Sequence, residues 1–157
     1  MKKINNLNFT LIFFSLLIFF SFSKSLGNEN NIFLTLKNKE VNLRQGPSFE
    51  YPIRLTYKKK NLPVIMIDKY ENWIKIKDFK NNFGWIHISQ LSKKKSAINL
   101  AKDTIVYKKP TIYSKPIVKL EIGRLVLIKK CKLEWCKITS GGFRGWIVKN
   151  NLWGKLK

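Results

Sequence analysis

Residues 141–154 read GGFRGWIVKNNLWG, and residues 81–91 read NNFGWIHISQL. Each stretch is a turn, then Gly-Trp-Ile, then a short polar run ending in Leu. A segment beginning on tryptophan precedes each one: Trp73-Ile74-Lys75-Ile76 before the first and Trp135-Cys136-Lys137-Ile138 before the second. A hairpin that recurs in this form implies one fold built twice. The offsets agree: Pro110 follows Pro47 by 63 residues, Trp135 follows Trp73 by 62, and Trp146 and Leu152 follow Trp85 and Leu91 by 61. A drift of two residues across the unit is what short loop deletions leave behind.

Outward from these hairpins the chain reads as short strands. Residues 73–77 alternate, with Ile74 and Ile76 on one side and Trp73 and Lys75 on the other. That period turns the isoleucines inward and Trp73 towards solvent or a groove. Residues 62–67 are continuously apolar and rich in branched side chains, as a central strand should be. Residues 32–37, 40–44 and 53–57 read as further strands, with turns over 58–61, 68–72 and 78–82. Gly46-Pro47 and Pro52 mark an ordered loop between two of them. Residues 117–121 and 124–129 repeat the middle strands around Gly123. Ser140-Gly141-Gly142 tightens the last turn, because glycine adopts positive φ without strain. No helix of ordinary length is legible after the N-terminal segment. The expected fold class is all-β, with two small tandem barrels at residues 32–92 and 98–157 and a linker at 93–97.

The first residues stand apart. Lys2 and Lys3 precede an apolar run over residues 9–22, and Ser25-Leu26-Gly27 follows as a cleavage site. That is the order of a secretory signal peptide over residues 1–27. The run is short for a bilayer span of roughly 20 residues, so a retained membrane anchor is the alternative. Export implies a periplasmic setting and disfavours nucleic acid as a partner. The chain carries 31 basic and 9 acidic residues, and cleavage after Gly27 leaves a net charge of +19. Such a balance attracts anionic surfaces, and salt weakens the attraction. Only four of the cations are arginines. Abundant Lys, Asn and Ile also fit a simple compositional drift.

Catalytic chemistry has little to work with. His87 is the only histidine, and Cys131 and Cys136 lie in the other repeat. A nucleophile–histidine pair would have to join them. No phosphate loop and no paired carboxylates in matching contexts appear. The expectation is no enzyme, no cofactor and no metal. Cys131 and Cys136 flank a tight turn, and a cross-strand pair can meet disulfide geometry. A disulfide is expected in an oxidising compartment; two free thiols or a metal or redox site are the alternatives. Exposed aromatics supply the candidate binding residues. Phe49 and Tyr51 lie in the first long loop, Tyr113 near its counterpart, and Trp73 and Trp135 have outward parity. With His87 at the edge they could line a groove. Otherwise they cover a barrel end or pack between domains.

Val41-Asn42-Leu43-Arg44-Gln45-Gly46-Pro47-Ser48, then Trp73-Ile74-Lys75-Ile76, then Gly84-Trp85-Ile86, resembles the bacterial Src-homology-3 (SH3-like) domain. The second copy resembles it through Trp135–Ile138, Gly145-Trp146-Ile147 and the Leu152-Trp153-Gly154 ending, but lacks the Arg-x-Gly-Pro opening. The resemblance implies tandem five-stranded barrels in an exported protein. It also implies a binding or adaptor role towards peptidoglycan peptides or a protein partner. The alternative is a membrane-anchored basic structural protein of the envelope that binds anionic surfaces. N-terminal sequencing of the mature protein is expected to begin at or near Asn28. A chain still starting at Met1 would favour the anchor.

Overall fold

The computed structural model describes residues 31–156; the expected signal segment lies outside them. The first repeat contains β1 (Ile32–Leu36), β2 (Val41–Arg44), β3 (Ile53–Tyr57), β4 (Pro63–Tyr70), β5 (Trp73–Lys77), β6 (Phe83–His87) and β7 (Leu91–Ser92). The second contains β8 (Ser96–Asn99), β9 (Thr104–Tyr107), β10 (Pro116–Leu120), β11 (Leu125–Lys132), β12 (Trp135–Ser140), β13 (Phe143–Val148) and β14 (Leu152–Gly154). The order β3-β2-β6-β5-β4-β1-β7 recurs as β10-β9-β13-β12-β11-β8-β14, so the duplication holds strand for strand. One 3-10 turn follows β6 and another follows β13.

The all-β class and the two repeats are as expected, with two differences. Each repeat has seven strands and not five, because β1 bridges β4 and β7, as β8 bridges β11 and β14. The ladders are also open sheets and not closed barrels, since β3 and β7 do not pair with each other.

Alternation builds the core as predicted. Ile74, Ile76 and Ile86 are buried with Leu43 and Val64 in the first repeat; Ile138 and Ile147 are buried with Val106 and Val126 in the second. The hairpin between β4 and β5 is tighter than the sequence implied. Asp68, Lys69 and Tyr70 pair with Lys75, Ile74 and Trp73, past a bulge at Ile67. The turn shrinks to Glu71-Asn72, with Glu71 at φ 48°. In the second repeat Cys131 stands directly opposite Cys136, and the two form the expected disulfide.

The expected linker is only partly a linker. Ser96 and Ala97 already belong to β8, and every residue of that strand is buried. Ala97 faces the second core while Ile98 joins the first. Ser96 Oγ donates to the Asn61 carbonyl at 2.7 Å. Trp153 on β14 packs edge-on against Phe33, at 5.1 Å between ring centres, and lies 6.2 Å from Phe79. Gly154 has no Cβ because one would strike Ser96 and Ala97. The charged run at 93–95 masks this, since the small residues after it carry no visible strand signal. Residues 31–156 therefore form one compact unit.

One buried carboxylate organises the loop before β6. Asp78 is 2% exposed. Its Oδ1 accepts from the Lys80 and Asn82 backbone amides, and its Oδ2 accepts from Asn82 Nδ2 and from the Tyr57 hydroxyl at 3.1 Å. Burial, reinforced by the neighbouring Asp78 charge, pushes the Tyr57 phenol well above its ordinary value of 10.0. A raised folded-state pKa stabilises below the unfolded value and is lost as pH climbs past it. Tyr57→Phe is expected to lose about 2 kcal/mol near neutrality, the scale of a hydrogen bond to a charged group. Urea unfolding is expected to show the gap between wild type and variant narrowing above pH 10.

Candidate functional site

Burying Ile74 and Ile86 forces Trp73, Lys75, Trp85 and His87 onto the opposite face of β5 and β6. There Trp73 stands across from His87, and Lys75 across from Trp85. Trp85 in turn stands across from Arg44 on β2. The first long loop folds over this row. Arg44 Nη1 donates to the carbonyls of Phe49 at 2.9 Å and Tyr51 at 2.7 Å, so one guanidinium ties down both ends of the loop tip. Gly46 is required beside it, because a Cβ there would sit 2.6 Å from the Tyr51 ring.

The result is an aromatic cluster packed mainly edge to face. Phe49 lies 4.9 Å from Trp73 and 5.5 Å from His87, and Trp73 lies 5.3 Å from His87 in edge-to-face geometry. The Arg44 guanidinium sits 5.6 Å from the centre of the Phe49 ring. Phe49 remains 63% exposed, while Trp73 is only 7% exposed. Trp73 therefore has the outward parity expected of it but does not reach solvent; Phe49 and His87 cover it. His87 Nδ1 accepts from the Ser89 amide and lies 2.8 Å from Ser89 Oγ, capping the 3-10 turn. Beside the cluster an open groove of about 400 Å³ is lined by Gln45, Arg54, Ile67, Lys75, Phe83 and Trp85.

The second repeat does not reproduce this arrangement. Tyr107 occupies the place of Arg44, opposite Trp146, and packs edge-on to Trp135 at 5.7 Å. With no guanidinium, its long loop is held by its own backbone and by Thr111 and Ser114 hydroxyls. Tyr113 projects from it, 92% exposed. Of the six sequence-derived residues, Phe49, Trp73 and His87 come together and Tyr51 closes the loop beside them. Tyr113 and Trp135 belong to the other repeat. Sequence reading missed Arg44 as the residue that holds the site. Its signal was the Arg-x-Gly-Pro opening, where the arginine has a reason only if it reaches across the loop. Trp85 is half-buried and also lines the groove.

The family model described as "Bacterial SH3 domain" matches residues 37–93 and again residues 101–154. No curated protein matches. Two solved structures from Trichomonas vaginalis, NlpC2 and NlpC1, align with 80% and 83% of this chain at 14% and 13% identity, each with a TM-score of 0.37. This chain spans 48% of each of those chains, about half their length.

The Phe49 and Trp73 rings have separable roles. Trp73→Ala is expected to cost about 3 kcal/mol or more, as for a large aromatic removed from a packed site. Phe49→Ala should stay below about 1 kcal/mol, as at an exposed position. Chemical denaturation of both variants measures the difference.

Proposed function

The chain belongs to the bacterial SH3 domain family, and from that premise we propose an exported, non-catalytic binding protein of the cell envelope. It holds a short peptide, from peptidoglycan or from a protein partner, against the outer face of its first repeat. Domains of this family are binding modules. The observation that carries the reading is the exposed Phe49 ring, backed by Trp73 and His87 and held in place by Arg44. A flat ring that is pre-positioned loses little freedom on binding. The adjoining groove supplies polar and cationic groups, Gln45, Arg54 and Lys75, for backbone carbonyls and carboxylates of a peptide.

Two features support a non-catalytic role. Both cysteines are consumed in the disulfide, so neither offers a thiolate. The hydroxyl beside His87 belongs to Ser89, two residues away, and serves the turn; none of the side-chain hydrogen bonds to His87 comes from a carboxylate that would orient it as a base. The disulfide also favours an oxidising compartment, in keeping with export.

Purified protein is expected to be retained on peptidoglycan sacculi or to crosslink to an envelope protein. Phe49→Ala should weaken that interaction about tenfold or more while leaving the fold intact, as for a central aromatic contact. Wild-type protein that neither sediments with sacculi nor crosslinks to a partner contradicts the reading.

A further inference from the structure

The same outer face carries different chemistry in the second repeat. The registers of the two hairpins match position for position. Lys129 occupies the bulge where the first repeat has Ile67, and Lys130 stands in the place of Asp68. Lys132 replaces Tyr70, Arg144 replaces Phe83, and Lys137 matches Lys75. Over these five positions the first repeat has one cation and one carboxylate, and the second has five cations and no carboxylate. Compositional drift towards lysine does not account for Arg144, one of only four arginines in the chain.

These cations converge. Lys129, Lys130, Lys137 and Arg144 rim a shallow depression of about 380 Å³, which Thr139 also lines. The Thr139 hydroxyl is shielded from solvent and has no hydrogen-bond partner within the protein. The two ion pairs among the described residues, Lys119–Asp103 and Lys149–Glu134, involve none of the five. Lys130 lies over the Trp146 ring at 5.9 Å.

At the tip of the same hairpin, next to Lys132, stands Leu133. It is 89% exposed and holds φ 48°. The first repeat places Glu71 there, at the same φ. An apolar side chain in a left-handed position, surrounded by water, contributes nothing to folding. The disulfide closes the hairpin immediately behind it, between Cys131 and Cys136. An exposed leucine on a rigid tip beside a cluster of lysines has the chemistry of a membrane interface. Apolar groups enter the headgroup–acyl boundary there, while cations stay among the phosphates.

We propose that Leu133 and the cation face around Arg144 form a docking surface for a bilayer bearing anionic phospholipid. Lipid phosphates seat among Lys129, Lys130, Lys137 and Arg144, and Leu133 enters the boundary. The leucine selects the bilayer over a soluble polyanion, to which it offers nothing. The surface is separate from the aromatic cluster of the first repeat and does not depend on the peptide role.

The test is co-sedimentation of the mature protein, beginning at Asn28, with vesicles at low ionic strength. Phosphatidylcholine vesicles are compared with vesicles that also contain phosphatidylglycerol, and soluble polyphosphate is a third ligand. Binding is expected to require phosphatidylglycerol and to fall with salt. Lys130→Asp combined with Arg144→Gln should weaken it on the order of 100-fold, at about fivefold per unit of charge removed near the surface. Leu133→Asn keeps the charge and suits positive φ; it should weaken vesicle binding several-fold and leave polyphosphate binding unchanged. Near-ultraviolet circular dichroism checks that each variant is folded. Equal binding to phosphatidylcholine vesicles overturns the proposal. So does indifference to the Lys130–Arg144 pair, or a Leu133→Asn variant that binds vesicles as well as wild type.

Discussion

Burial of a few isoleucines decides what this protein presents to its surroundings. Ile74 and Ile76 against Ile86, and Ile138 against Ile147, are each removed almost wholly from water. In a strand the side-chain period is two, so a slip of one residue would expose all of them together. The cost of that slip locks the register of both hairpins. Once it is locked, Trp73, Lys75, Trp85 and His87 must share the other face in the first repeat. The same holds for Trp135, Lys137, Arg144 and Trp146 in the second. Core packing thus fixes where the outer side chains stand without constraining what they are.

That freedom has been used differently in the two copies. In the first, Arg44 draws the long loop down so that Phe49 covers Trp73 and His87. In the second, Tyr107 holds the equivalent position and the face is left open and cationic. The copies are nevertheless not independent. β8 is buried on both faces, giving Ala97 to one core and Ile98 to the other. Trp153 at the end of the second repeat leans on Phe33 at the start of the first. A strand shared in this way makes each repeat part of the other's core, which helps two small sheets of limited interior to stay folded.

The duplication, the strand class and the inward isoleucines were legible because they rest on local periodicity and on residues repeated at nearly constant offsets. The disulfide was legible because Cys131 and Cys136 flank a turn that brings strand positions opposite one another. What stayed hidden depends on contacts between distant parts of the chain. Nothing local marks Ser96-Ala97 as a buried strand after three lysines; burial there comes from Asn61, from Val126 and Leu127 across the ladder, and from Gly154. Parity placed Trp73 on the outer face correctly, yet could not foresee that Phe49, distant in sequence, would cover it. Arg44 looked like one letter of a motif until its two carbonyl partners were seen. Open ladders in place of closed barrels follow from which edges pair, and strand patterns do not encode that.

The central claim is that ligand meets the face of β5 and β6 covered by Phe49, and not its counterpart in the second repeat. Two-dimensional NMR of the labelled protein, titrated with a soluble peptidoglycan stem peptide or an identified partner peptide, addresses it directly through the tryptophan side-chain signals. The account predicts that the Trp73 and Trp85 indole resonances shift in a saturable way while Trp135 and Trp146 stay in place. Shifts confined to Trp135 and Trp146, or saturable binding that leaves Trp73 and Trp85 unmoved, would contradict it.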